Sequence, residues 1–320
     1  MLVRIILSLF LLTYSLSAAW PELKSADGQK TIHAKPVAIV GEKIRFTKED
    51  GQSFVASPDT FAANDRDQLR VWMQAMQKHP HQLLVQRVSG AKTLRVLFIG
   101  NSYSFQIPKV FGKIAEAEGK SVEVEQMTRG GWTLAKHAAA KKTLAKINEK
   151  KWDVVVLQEQ SQLPAFPEAQ RSKAMYPAAK SLADAVRANG AVPVLFLTWG
   201  RQDGDKQNAA RFPNDTYQAM QQRLVEGYRN ASQHAGGLCI IPVGDIWSEA
   251  RTQGKDKNLY AKDGSHPAKT GNYLGACVFF TAFYDQVVER VDDKRADAAE
   301  MAKLARSARL QPVVYPVQKK

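Results

Sequence analysis

The chain has 320 residues, 44% of them hydrophobic and 24% charged, which excludes a disordered or collagen-like polymer and leaves room for one large domain with a small companion. Forty-five Lys and Arg against 31 Asp and Glu give a net charge of +14, a balance that favours acidic partners and says nothing of fold.

Arg4 precedes the apolar run Ile5 to Leu12, and Ser17-Ala18-Ala19 supplies small residues before Trp20. This is the pattern of a secretory signal peptide over residues 1–19. No later segment offers the ~20 consecutive apolar residues of a membrane span. The expectation is a secreted or periplasmic protein with no stable membrane insertion after cleavage. Export permits a disulfide between Cys239 and Cys277, yet both stand in apolar contexts where buried free thiols are also common. Two cysteines make no zinc framework and the six histidines have no HExxH-type spacing, so no metal is expected.

Residues 20–78 read as a small β-rich module. Segments at 32–40, 43–47 and 53–56 are β-rich and separated by turn signals at Gly41-Glu42 and Glu49-Asp50-Gly51. The stretch from Ser57 to Lys78 turns helical in its second half, where Leu69, Trp72, Met73 and Met76 recur at helical spacing. A linker over 79–93 carries a short strand at Leu83–Val88. From Leu94 the pattern changes to alternating strands and helices. Apolar runs at 94–99, 122–127, 152–157, 192–198 and 238–243 are separated by long helical stretches, as at 172–189 and 216–234. Near-continuous apolar strands imply burial on both faces, hence a parallel sheet flanked by helices. The charged stretch 292–309 reads as a solvated helix face.

In open α/β sheets the active site forms at the carboxyl ends of the strands. Those ends carry Gly100-Asn101-Ser102-Tyr103, then Arg129-Gly130-Gly131-Trp132, then Gln158-Glu159-Gln160-Ser161, then Trp199-Gly200-Arg201, with Asp263-Gly264-Ser265-His266-Pro267 past the last strand. Serine is a weak nucleophile without a positioned base. His266 can supply the base, and Asp263, three residues earlier, can hold one ring nitrogen while the other faces Ser102, the division of labour in a Ser-His-Asp triad.

On these blocks the sequence resembles the SGNH (GDSL-like) hydrolases, and within them an exported bacterial subgroup with Gly-Asn-Ser-Tyr and Asp-Gly-Ser-His-Pro blocks. The resemblance covers residues 94–285. It implies a three-layer α/β/α flavodoxin-like domain over 94–320, with Ser102, His266 and Asp263 catalytic. It also implies an oxyanion hole from the N–H of Ser102, the N–H of Gly130 or Gly131, and a side-chain amide. The family usually has Gly-x-Asn-Asp in the third block; here register favours Gln160 at the asparagine, with Gln158 the alternative. The N-terminal module resembles small SH3-like β modules attached to exported enzymes.

The reaction implied is hydrolysis of O-acyl esters through an acyl-enzyme, with no cofactor. The family suggests an acetyl group on a carbohydrate. Trp132, Trp199 and Arg201 stand at strand ends where substrate would lie. The charge excess sits outside the small module, +11 over residues 91–320 against +2 over 20–90, which suits an anionic acylated glycan better than a nucleic acid or a basic anchor. Two other classes stay open: a non-catalytic glycan-binding or envelope protein on the same scaffold, separated by ester turnover that Ser102→Ala abolishes, and an O-acyltransferase, separated by product analysis with an added acceptor.

Overall fold

The computed structural model describes residues 21–50, 52–77, 79–290 and 296–308; the expected signal peptide lies outside them. The described chain divides into two compact units, with the division between Gln86 and Arg87.

The first unit is an antiparallel four-stranded meander, β1 (Glu22–Lys24), β2 (Thr31–Val40), β3 (Lys43–Lys48) and β4 (Ser53–Ala56), in that order. The three expected segments are β2 to β4; the three-residue β1 is too short to leave a periodic signal. The register of β2 on β3 shifts between Pro36 and Ala38, leaving Val37 as the bulged residue just after a proline that cannot donate to the ladder. One face packs Ala34, Ile44 and Phe46 against Phe61, and the helix Ala63–Met76 adds Leu69, Trp72 and Met76 to the same core. A sheet this small needs that cover.

The expected strand at 83–88 is instead part of a helix, Pro80–Gly90. Pro80 stands at the first helical position, where its missing N–H costs nothing, and Leu84, Val85 and Val88 are buried together at helical spacing.

The second unit is built on a five-stranded sheet in the order β6-β5-β7-β8-β9, formed by β5 (Leu94–Gly100), β6 (Val122–Thr128), β7 (Val154–Leu157), β8 (Val192–Phe196) and β9 (Cys239–Ile241). Every pairing is parallel. Taken in chain order within the domain this is 2-1-3-4-5, the flavodoxin-like order, with helices flanking the sheet. The inner strands are the apolar ones: all four residues of β7 are buried, as are six of the seven in β5. On the edge strand β6, Glu123 and Glu125 are exposed enough to pair with Lys150, a charged border that protects an open edge.

The long helix expected at 172–189 is two helices, Glu168–Ala174 and Tyr176–Ala188, because Pro177 in the first turn of the second cannot continue the first. The helix Ala298–Leu304 also differs from a solvated face, burying Ala298, Met301, Ala302 and Leu304. Cys239 and Cys277 form no disulfide and are both buried, one in β9 and one in the helix Lys269–Tyr284. Burial pushes the Cys239 thiol up to about 12. Among the described residues no helix is long and apolar enough to cross a membrane.

Candidate active site

The strand order reverses at β5: the chain leaves it for β6 on one side and returns to β7 on the other. Such a switch point opens a crevice at the carboxyl ends of the strands. The loop after β5 carries Ser102, the loop after β6 carries Gly130 and Gly131, and the loop after β7 carries Gln158 to Ser161, so sheet order alone puts the serine between the other two blocks.

Ser102 opens a single 3-10 turn, Ser102–Ser104, capped by Asn101, whose Oδ1 accepts the N–H of Tyr103 at 3.2 Å. Gly100 before it is required by close approach: a Cβ there would stand 2.5 Å from Oε1 of Gln158. That oxygen accepts the N–H of Asn101 and the hydroxyl of Ser104, both at 2.9 Å. The Asn101 amide donates onward to the Trp132 carbonyl at 3.0 Å. Buried His137 donates from Nε2 to the Gly100 carbonyl at 2.8 Å, and its Nδ1 is 3.0 Å from the Thr143 hydroxyl. Burial holds this imidazole below the usual histidine range, so the neutral tautomer that donates from Nε2 is the stable one.

His266 arrives from the far end of the domain. Its Nε2 is 2.9 Å from Oγ of Ser102, and its Nδ1 is 2.5 Å from Oδ2 of Asp263. The other Asp263 oxygen accepts the N–H groups of Ser265 and His266, each at 3.0 Å. Burial works to raise the Asp263 carboxyl, but the His266 ring and these two N–H groups outweigh it and hold the group below the usual carboxylate range. Gly264 makes the tight loop possible, with φ of +64°. The arrangement supplies a hydroxyl, a base on it and an ionised carboxylate orienting the base, which is the equipment for nucleophilic acyl transfer.

Trp199 does not face substrate. It is wholly buried, stacked between Tyr103 at 4.8 Å and Trp247 at 4.0 Å, with its indole N–H donated to the Ser265 carbonyl at 3.0 Å. A flat apolar ring with one donor suits a wall behind the histidine loop. Tyr103 supports the same loop: its hydroxyl is 2.6 Å from Oγ of Ser265 and its ring lies edge-on to His266 at 5.4 Å. Arg201 is largely enclosed, with Nη1 3.9 Å from Asp205 and a buried Nε that has no hydrogen-bond partner. Trp132 is half-buried and carries the Arg129 guanidinium over its ring at 4.9 Å.

Gly130 and Gly131 occupy the centre of a turn closed by Trp132 N–H on the Arg129 carbonyl, with Gly131 at φ of +68°. Both glycines are exposed, and their N–H groups stand outside the turn's own bond. The two glutamines differ. Gln158 is wholly buried and spends its amide N–H groups on Oδ1 of Asn101 and the Glu159 carbonyl. Gln160 is half-buried; its Oε1 caps the N–H groups of Gln162 and Leu163, and its Nε2 donates to Oε1 of Gln162 at 3.2 Å, with Ser161 only at 3.5 Å. One N–H of Gln160 is thus weakly engaged, and none of Gln158.

Phe105 was not singled out by sequence. It is one of the few large apolar side chains left exposed, at 41%, and its ring tip comes within 3.9 Å of a Cβ built on Gly130. An apolar residue three positions after Ser102 reads as core in a sequence, because exposure depends on what packs over it.

No family model matches this sequence, and no curated protein matches it. Among solved structures the chain is similar to a DUF4886 family protein from Bacteroides uniformis, with a TM-score of 0.58 and 21% identity over 68% of this chain and 93% of that one. It is similar also to a candidate SGNH hydrolase from Slackia heliotrinireducens, with a TM-score of 0.48 and 29% identity over 59% and 98% of the two chains. An acetyl xylan esterase from Geobacillus stearothermophilus aligns with a TM-score of 0.43 and 16% identity over 59% and 99%. The likeness to the DUF4886 protein shows a shared fold. The chemistry rests on this chain's own residues.

Proposed function

We propose that the protein is an exported serine esterase that hydrolyses O-acyl esters, acetyl in the first instance, on a carbohydrate. The observation that carries this reading is the unbroken hydrogen-bonded series from Ser102 through His266 to Asp263 at the switch point of the sheet.

Ser102 Oγ attacks the ester carbonyl while His266 Nε2 takes its proton. The tetrahedral intermediate collapses as His266 returns that proton to the leaving alcohol oxygen, breaking the C–O bond and leaving an acyl group on Ser102. Water then repeats the sequence: His266 removes its proton, the acyl–Oγ bond breaks, Ser102 recovers its hydrogen and the acid departs. Asp263 fixes the imidazole tautomer and stabilises the imidazolium. The N–H groups of Ser102 and of Gly130 or Gly131 hold the oxyanion, with the weakly engaged amide N–H of Gln160 as third donor.

Carbohydrate is favoured by two aromatic rings close to Ser102: the exposed Phe105 ring, whose tip lies beside Gly130, and the half-buried Trp132 carrying Arg129. Aromatic faces suit sugar rings, and Arg129 suits an anionic one. The experiment is a screen of purified protein against acetylated glycans and short-chain aryl esters. Release of acetate from a glycan, lost in Ser102→Ala, supports the reading; turnover of neither class rejects it.

A further inference from the structure

Glu159 is a buried acid that the triad chemistry leaves unused. It stands two positions past the end of β7 with its side chain fully enclosed. Its Oε1 accepts two backbone N–H groups, from Leu134 at 3.1 Å and from Gln160 at 2.6 Å, while Oε2 is buried with no hydrogen-bond partner. Leu134 opens the helix Leu134–Ala139 that follows the Gly130-Gly131 turn, and Gln160 belongs to the loop after β7. Because β5 lies between β6 and β7, these two loops stand on opposite sides of the Ser102 turn. One carboxyl therefore ties together the two blocks between which the oxyanion must form.

We infer that Glu159 is a positioning residue, a clamp that fixes the loop after β6 against the loop after β7 and so sets the oxyanion site. This rests on the esterase reading of Ser102. The clamp has to be uncharged. A carboxylate one residue from Gln160, and bonded to the block that holds the glycines, would oppose the negative charge that develops on the substrate oxygen. The surroundings keep it so: burial pushes the Glu159 carboxyl up to about 8. The titratable group bonded to this residue brings no positive charge: the Tyr228 hydroxyl accepts the Glu159 N–H at 3.3 Å, and burial pushes that hydroxyl's ionisation up.

The test compares kcat and KM on p-nitrophenyl acetate for the full chain, Glu159→Gln, Glu159→Ala and Ser102→Ala, from about pH 6 to about pH 9.5. The wild type is expected to lose kcat above about pH 8 as the clamp ionises. Glu159→Gln keeps the oxygen acceptor and cannot ionise, so it should retain neutral-pH kcat within about threefold and lose the alkaline fall. Glu159→Ala should lower kcat by about 10- to 100-fold with KM changed by less than about threefold, since only the transition state uses the clamped geometry. The same alkaline fall in Glu159→Gln overturns the proposal, as does a folded Glu159→Ala with wild-type kcat. If Glu159→Ala does not fold, the comparison with Glu159→Gln decides. Ser102→Ala separates the two readings: turnover retained there rejects the esterase, whereas a dead Ser102→Ala beside wild-type behaviour at Glu159 rejects only the clamp.

Discussion

Trp199 donates its indole N–H to the carbonyl of Ser265 at 3.0 Å, 66 positions further along the chain, and so holds the residue before His266 against the end of the sheet. The ring continues into a stack with Tyr103 and Trp247, which makes the histidine loop part of the core. Trp199→Ala should cost about 3–5 kcal/mol in urea unfolding, the range for deleting a buried indole. Trp199→Phe should keep most of that stability but lose the bond to Ser265, lowering kcat more than KM. Equal stability in Trp199→Ala and wild type would mean the stack is not a support.

In the proposed reaction Ser102 and His266, with Oγ and Nε2 2.9 Å apart, share one step. Ser102→Ala, His266→Ala and the double variant should therefore have residual rates within a few fold of one another, measured on one aryl ester. A double variant far slower than either single one contradicts a shared step.

The two glutamines after β7 should separate by kind of effect. Gln160→Ala removes the weakly engaged amide and should lower kcat by roughly 10²–10³, about 2.7–4 kcal/mol, with little change in stability. Gln158→Ala strips buried partners from the Asn101 N–H and the Ser104 hydroxyl and should lower stability by ~1–3 kcal/mol. The reverse pattern, measured by kinetics and urea unfolding together, moves the oxyanion donor to Gln158.

How much of this was legible in the sequence depended on whether a residue's signal is local. The inner strands of the sheet announced themselves because burial on both faces demands apolar runs, whereas the edge strand β6 interleaves Glu123 and Glu125 with its valines; a serine after the first strand with Asp-x-x-His after the last follows from where α/β sheets put chemistry. Trp199 and Phe105 were misjudged or missed for the same reason: an aromatic at a strand end is wall or rim according to what covers it, and that is a long-range property. Glu159 reads as a solvated charge beside two glutamines until the fold encloses it. The helix Pro80–Gly90 reads as a strand in sequence because the short run Leu83 to Val85 fits both periods.

Folding stability should fall with rising pH across the window that Glu159 opens. Its carboxyl ionises near 4.5 when unfolded and near about 8 when folded, so between these values the folded state binds the extra proton and each step upward favours unfolding. Glu159→Gln should flatten this segment of the urea-midpoint profile. A profile identical to wild type between these limits would show that Glu159 is not a neutral acid in the folded protein.

The proposed reaction stands on Ser102 as the nucleophile. The most direct measurement is intact-mass analysis after treatment with a fluorophosphonate, followed by peptide mapping. A single phosphonyl adduct is expected on the peptide containing Ser102, with loss of ester turnover in step with labelling and no adduct in Ser102→Ala. Labelling at another residue with turnover abolished, or unimpaired turnover in Ser102→Ala, would contradict it.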